Sequence, residues 1–390
     1  MDAAASRESW LESLPEHVRD SLRARLAGGT ARTPGGRIEP VQRTGRPPLS
    51  YAQQRLWFLD EFDPGSAEYN SCLSLRLTGG LDVAALAAAL SALVARHESL
   101  RTTFDAVDGE GYQVIGEPFA VPVPVVPVPG PADDERDVIL ANLLRAEAAR
   151  PFDLRTGPLL RTVLVRLAAE EHVLAITMHH IITDGWSMGV LGRELAALYD
   201  RAATTGTYDP GLLLAGSALP PLPVQYADFA AWQRTTLTGP ALERRLAHWT
   251  SKLDGIVPLE LPTDRPRPAV RTSAGAQHLF TLPADTTRRL TEVARAHNAT
   301  LFMAVTALSQ LALSRWTGQT DIAVGTTVSG RDRAETEGLI GFFVNTLVLR
   351  TEVEEPLPFG RFLDGVRETV LEAFAHADVP FERVVDAVVT

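Results

Sequence analysis

His179-His180-Ile181-Ile182-Thr183-Asp184-Gly185 directly follows a nearly continuous apolar run from His172 to Met178. Such a short apolar run predicts a strand that is buried on both faces of a sheet. A helix is predicted after Gly185, with one apolar face formed by Met188, Leu191, Leu195, Leu198 and Tyr199. Strands and helices are mixed in the same way in both halves of the chain, which predicts an α/β fold.

Two neighbouring histidines at a strand end cannot both face one cleft, because adjacent strand side chains point to opposite faces. This geometry disfavours a metal site built from His179 and His180, and we predict no metal. One imidazole remains for proton transfer, which suits a side chain whose ordinary pKa lies near neutrality. Asp184 could fix the geometry by pairing with an arginine, and Gly185 would allow a tight backbone turn. A packed histidine pair without a site explains the motif alone equally well.

A rival motif overlaps the first one. Gly185-Trp186-Ser187-Met188-Gly189 fits the G-x-S-x-G pattern of a hydrolase nucleophile elbow. An elbow needs its serine directly after a strand, whereas six residues, His179 to Asp184, separate the apolar run from Gly185. We therefore favour Ser187 as the cap of the following helix. The chain also lacks the glycine-rich loops that bind nucleotide phosphates, and the transfer of an already activated acyl group requires neither of them.

Charge and composition exclude several classes of partner. The chain has 37 Lys and Arg against 48 Asp and Glu, and its formal charge of −11 opposes binding to nucleic acid or anionic lipid. No apolar run approaches the roughly 18 residues of a membrane span, and Met1 to Glu8 lacks the features of a signal peptide. Cys72 is the single cysteine and cannot form an internal disulfide, which predicts a cytoplasmic location. We expect Cys72 to be a small buried side chain.

Four segments are predicted along the chain. Residues 1–48 contain a helix over residues 8–27 and a polar connector rich in Pro and Gly. A first lobe spans residues 49–203 and includes the double-histidine motif. Residues 204–223, rich in Gly, Pro and small side chains, are the predicted linker. A second lobe of mixed helices and strands spans residues 224–390.

Six segments in register together resemble the signature sequences of nonribosomal peptide synthetase condensation domains. Each segment alone is weak evidence, but their order and spacing across residues 50–382 make the set specific. The segments are Ser50–Leu59, Arg96–Phe104, Met178–Ser187, Tyr226–Trp232, Ile340–Thr346 and His376–Glu382.

The resemblance implies two chloramphenicol-acetyltransferase-like lobes arranged in a V with an active-site tunnel between them. Carrier proteins would dock at opposite ends, each with its substrate as a thioester on a phosphopantetheine arm, and no cofactor would be bound directly. The partners implied are donor and acceptor peptidyl carrier proteins and adjoining synthetase domains, and we expect a monomer. The chain ends at Thr390, before the family's final signature, so we expect the second lobe to be incomplete.

By match to the family, His180 is the active-site imidazole, in a motif that also contains His179, Asp184 and Gly185. Asp184 is implied to be a structural carboxylate paired with Arg55. Asn345 and Ser187 are the residues that we assign to the substrate channel, although backbone hydrogen bonding is an equal alternative for Asn345.

Two other functions stay open on the sequence. A non-catalytic recruitment module could use the same scaffold, and a free-standing acyltransferase could use a small-molecule acceptor. The sequence does not identify the donor, its stereochemistry, the acceptor or the product.

Overall fold

The computed structural model describes residues 36–43, 45–128, 134–269, 272, 275–354 and 356–388. The helix predicted over residues 8–27 lies outside these ranges. The described residues form two compact units. The first comprises residues 37–238 together with 329–344, and the second comprises residues 239–328 together with 345–388.

The first unit is built on a four-stranded sheet with the strand order β1-β6-β5-β4. The strands are antiparallel except for β4, which pairs in parallel with β5. Eight of the nine residues of β6 are buried, which confirms the strand predicted from the apolar run. The short strand β4 lies at the sheet edge, where the missing amide proton of a proline disrupts the fewest hydrogen bonds between strands. The strands are β1 (Asn70–Thr78), β4 (Val125–Pro127), β5 (Leu160–Ala168) and β6 (Glu171–His179).

A hairpin and seven helices complete the first unit. The hairpin consists of β2 (Thr102–Val107) and β3 (Glu110–Ile115). The helices are α1 (Tyr51–Phe62), α2 (Val83–Arg96), α3 (Asp134–Ala148), α4 (Gly185–Thr205), α5 (Pro210–Ala215), α6 (Tyr226–Thr236) and α10 (Ala334–Glu337).

Local sequence explains where the helices around the core begin. Ser50 forms a capping box with Gln53 at the start of α1, and Asp82 accepts a hydrogen bond from the Ala85 amide over 2.9 Å at the start of α2. Helices α2 and α4 pack against each other, and their apolar side chains join those of β5 and β6 in the main core. Strand β6 is therefore packed into the sheet and the core up to His179.

The second unit contains the hairpin β7–β8 and five helices. Its strands pair antiparallel over their whole length, from Asp321 opposite Glu352 to Val328 opposite Asn345. The chain between these strands, residues 329–344, belongs to the first unit. The elements are α7 (Gly239–Leu253), α8 (Ala284–Ala296), α9 (Leu301–Thr317), β7 (Asp321–Val328), β8 (Asn345–Glu352), α11 (Phe359–Ala375) and α12 (Phe381–Val388).

The boundary between the two units does not lie in the predicted linker, residues 204–223. Residues 204–223 include α5, which packs on α2, and the following helix α6 also belongs to the first unit. The boundary instead lies between Thr238 and Gly239. Composition indicated a linker because small residues are common both in linkers and in tight helix contacts.

The structure also bears on two sequence predictions, the absence of a membrane span and the burial of Cys72. No helix in the described ranges is both long enough and apolar enough to cross a bilayer. Cys72 is exposed on β1, at the sheet edge, so the prediction of a buried side chain is wrong. Its strand alternates between exposed and partly buried positions, and Cys72 is on the exposed face.

Candidate active site

The two histidines of the motif lie at the end of β6 in different surroundings. His179 is the last residue of the strand and is buried, whereas His180 begins a 3₁₀ turn, His180–Ile182, and is partly exposed. The amide of His180 donates a hydrogen bond to the carbonyl oxygen of Tyr69 over 2.8 Å, which ties the turn to the chain before β1. Of the two imidazoles, that of His180 is the more accessible to solvent.

The tautomer of His180 follows from a single contact. Its Nδ1 lies 2.7 Å from the carbonyl oxygen of Thr183. A carbonyl oxygen can only accept, so Nδ1 carries the proton and donates it. In the neutral ring the lone pair is then on Nε2, which makes Nε2 the atom able to accept a proton from a substrate.

His179 has a structural environment. Its Nδ1 accepts a hydrogen bond from the Ile181 amide over 3.1 Å, and its ring packs near Tyr69 and edge-on to Phe152. Burial, with a smaller contribution from the charge of His180, lowers the pKa of His179 to about 4. A neutral, enclosed imidazole supports the turn and does not exchange protons with a substrate near neutral pH.

Asp184 is the N-cap of α4 and the centre of a buried polar network. Its Oδ1 accepts hydrogen bonds from the Ser187 amide (2.8 Å) and the Ser187 hydroxyl (2.7 Å). Its Oδ2 accepts a hydrogen bond from the Phe343 amide over 3.0 Å. The guanidinium of Arg331 lies 3.1 Å from Oδ1, and both side chains are fully buried. These donors satisfy both oxygens of the buried carboxylate.

Arg331 connects Asp184 to the segment 329–344. Its Nη1 donates to the carbonyl oxygens of Leu339 (2.8 Å) and Thr336, and its guanidinium lies 4.1 Å from the centroid of the Phe343 ring. Burial lowers the pKa of Arg331 below its ordinary value, and the charge of Asp184 opposes this shift. The pair therefore fastens this segment to the start of α4.

Three predictions about Asp184 and Ser187 need correction. Asp184 pairs with Arg331, at 3.1 Å between Nη2 and Oδ1, and not with Arg55 as the family match implied. Ser187 is fully buried, so it does not line an accessible channel. Its hydroxyl accepts from the Arg331 guanidinium (2.8 Å) and from the Gly341 amide (3.1 Å). Asp184, and not Ser187, caps α4.

Gly185 and Asn345 have ordinary structural surroundings. Gly185 is the first residue of α4, and a Cβ there would meet open space, so sterics do not require glycine in this structure. The Asn345 amide nitrogen donates to the carbonyl oxygens of Ala377 (2.9 Å) and Val379 (2.6 Å), and its oxygen accepts from the Phe381 amide (3.0 Å). These bonds anchor α12 to β8, and a channel role for Asn345 stays a prediction.

Sequence reasoning missed two other contributors. Trp186 is about half exposed, and its indole nitrogen donates to the carbonyl oxygen of Glu337 over 3.0 Å. Arg331 follows Gly330, where a Cβ would collide with the carbonyl oxygen of Phe343. The sequence Ser329-Gly330-Arg331 directly after a strand was the available signal for this close approach. Within the described ranges, no three His, Cys, Asp or Glu side chains are grouped as a metal site requires.

The turn after β6 thus contains a partly exposed imidazole, and a buried carboxylate–guanidinium pair follows it at the start of α4, on a mixed α/β scaffold. The family model of the condensation domain matches residues 44–389. The chain therefore belongs to the condensation-domain family, and the predicted fold class is confirmed.

Similar sequences come from peptide synthetases. One of the linear gramicidin synthase proteins of Brevibacillus parabrevis is 48% identical over 89% of this chain, which spans 7% of that protein. Phosphinothricin tripeptide synthetase PhsC of Streptomyces viridochromogenes is 45% identical over 88% of this chain, which spans 31% of that protein. The chain thus corresponds to a small part of each relative.

Solved structures also resemble the chain. The X-domain from teicoplanin biosynthesis superposes with a TM-score of 0.80 at 32% identity, over 91% of this chain and 76% of that one. The first condensation domain of the CDA synthetase gives a TM-score of 0.70 at 26% identity, over 87% of this chain and 78% of that one. A further structure contains the teicoplanin X-domain in complex with OxyB.

Proposed function

We propose that this chain forms an amide bond between two substrates that are carried as thioesters on partner carrier proteins. The amine of the acceptor attacks the thioester carbonyl of the donor, so that a carbon–nitrogen bond forms and the carbon–sulfur bond breaks. The amine loses one proton and the departing sulfur gains one. The single observation that carries the proposal is the 2.7 Å contact between Nδ1 of His180 and the carbonyl oxygen of Thr183, from which we infer that the lone pair is on Nε2.

His180 has a limited task in this reaction. A thioester is already activated, and an α-amine with a pKa of about 7.7–8.0 is substantially neutral near pH 8. Much of the rate can come from holding the two reactants together. Nε2 would accept the proton that the attacking nitrogen sheds and return it to the leaving sulfur. Such general-base assistance contributes about 10²- to 10⁴-fold.

The proposal also defines the partners. Both substrates arrive on phosphopantetheine arms, so the chain needs no cofactor of its own, and it works with carrier proteins and neighbouring synthetase domains. Relatives that are peptide synthetases support this assignment. The monomeric state and the cytoplasmic location stay predictions.

The test is intact-mass analysis of both carriers after incubation with the chain. Donor carriers are loaded with a panel of acyl and aminoacyl groups, and the acceptor carrier with an amino acid. We expect the acceptor carrier to gain the mass of the donor acyl group while the donor carrier loses it. A parallel reaction replaces the acceptor carrier with free amines.

Each alternative function predicts a different result. Acylation of free amines with no gain on the acceptor carrier would identify a transferase for small-molecule acceptors. No transfer in any combination would overturn the proposal, and binding to a partner protein under those conditions would favour the recruitment module.

A further inference from the structure

The ring of Phe342 lies directly against the imidazole of His180. The two ring centroids are 5.0 Å apart and the ring planes are inclined at 65°, which is a T-shaped contact. Aromatic pairs favour this geometry at separations of roughly 4.5–7 Å. Phe342 is buried at 3% exposure, whereas His180 is partly exposed. A fixed ring therefore borders a more accessible one.

The backbone on both sides of Phe342 is held by buried side chains. The amide of Gly341 donates to the hydroxyl of Ser187 over 3.1 Å, and the amide of Phe343 donates to Oδ2 of Asp184 over 3.0 Å. The carbonyl oxygen of Phe342 itself accepts from the hydroxyl of Tyr226. Phe342 is thus attached on each side to the Asp184 network.

The His180 ring needs such support because, among the described residues, its one hydrogen bond is that to the Thr183 carbonyl oxygen. The χ2 torsion of histidine is broad and roughly two-fold. A half-turn about this torsion would replace Nδ1 by a carbon atom opposite the Thr183 carbonyl oxygen and lose the 2.7 Å hydrogen bond. It would also move Nε2 away from its present place. Packing against a rigid neighbour resists that turn.

We propose that Phe342 is a positioning residue, which holds the His180 imidazole in the orientation that presents the Nε2 lone pair. The Asp184 network holds the backbone on either side of Phe342, and the Phe342 ring alone contacts the imidazole. This inference rests on the proposed role of His180. In the sequence Gly341-Phe342-Phe343, the inference makes Phe342 a positioning residue and leaves Phe343 as a core packing residue.

Phe343 provides the matched control. It is equally buried, at 4% exposure, and its ring packs on Tyr226 and Phe229 and under the Arg331 guanidinium. Phe342→Leu and Phe343→Leu remove the same atoms from neighbouring positions of one core. If the substitutions reduce activity only by weakening core packing, both variants should lose activity. If Phe342 positions the imidazole, Phe342→Leu alone should lose activity.

Two measurements test the proposal on the full chain. Nitrogen NMR of labelled histidines near pH 8 reports which ring nitrogen of His180 carries the proton. We expect one Nδ1-protonated form in the wild type and in Phe343→Leu, and exchange between two tautomers in Phe342→Leu. In the carrier assay, kcat of Phe342→Leu should fall about tenfold to a hundredfold, while KM changes by less than about twofold, as for a group that does not bind substrate.

A single Nδ1-protonated form in Phe342→Leu, or an equal loss of kcat in Phe343→Leu, would overturn the inference. Should Phe342→Leu fail to fold, Phe342→Met retains more of the packing and carries the same expectation. The NMR result does not require turnover. An inactive wild type with an ordered His180 ring would therefore refute the proposed function and leave the positioning role of Phe342 intact.

Discussion

Asp184 and Arg331 are 147 positions apart in the sequence and form a fully buried ion pair, with 3.1 Å between Oδ1 and Nη2. The pair connects the first turn of α4, next to the double-histidine motif, to the segment 329–344. Breaking a buried pair costs more than the pair contributes, because one charge is left without compensation. This contact should therefore be among the most sensitive positions of the first unit.

Asp184→Asn should lower the free energy of unfolding by about 3–5 kcal/mol, since Arg331 would keep its charge in a buried site. Denaturant unfolding near pH 7.5 measures the change. Glu292→Gln is the control, because Glu292 pairs with Arg288 at 58% exposure for both side chains. That exposed pair should contribute about 1 kcal/mol or less. Equal effects of the two substitutions would contradict the buried pair as described.

His179 should make stability depend on pH. Its pKa is lowered to about 4 in the folded chain, whereas an unfolded histidine titrates near 6.5. As the pH falls below about 6.5, the unfolded state binds a proton that the folded state does not bind, so stability decreases until the pH reaches about 4. Between pH 7.5 and 5.5 this effect amounts to about 1.4 kcal/mol.

His179→Gln removes this titration and should flatten the decrease in unfolding free energy over that pH range by the same amount. The glutamine oxygen can still accept from the Ile181 amide. The comparison is made by denaturant unfolding of both proteins at pH 7.5 and at pH 5.5. An unaltered slope in His179→Gln would show that the ring is protonated as easily in the folded chain as in the unfolded one.

Gly341 should tolerate no side chain. A Cβ there would lie well inside contact distance of the Tyr226 ring and 2.9 Å from Cε2 of Phe343. Gly341→Ala should therefore destabilise the chain by about 1–3 kcal/mol through overpacking. Gly192, within α4, has open space at its Cβ position, and Gly192→Ala should stabilise by about 0.5–1 kcal/mol. Thermal unfolding measures the stability of both variants. A Gly341→Ala variant as stable as the wild type would contradict the packing around Phe342 and Phe343.

Local patterns were sufficient to predict the elements that present the site. An apolar run of strand length predicted β6 because a strand buried on both faces has few polar residues. Asp82 and Thr300 are residue types that favour helix N-caps, and the side-chain oxygen of each accepts a hydrogen bond from a free amide of the first turn. The alternation of side chains between the two faces of a strand also predicted that His179 and His180 would have different surroundings.

Long-range partners could not be predicted in the same way. Nothing local to Asp184 identifies which of the 37 basic residues meets it, and Arg331 reaches it only because segment 329–344 belongs to the first unit. The family match indicated Arg55 because that residue lies within another signature segment. The same limit explains why the linker prediction failed. Tertiary packing joins α5 and α6 to the first unit, and composition does not reveal this packing.

The most direct test of the account is the rate of amide formation by His180→Ala with both carriers loaded. His180 is partly exposed, so the variant should unfold at nearly the wild-type temperature. We predict that kcat falls about 10²- to 10⁴-fold, while the exposed control His278→Ala retains full activity. Undiminished turnover by a folded His180→Ala variant would contradict the role of this imidazole.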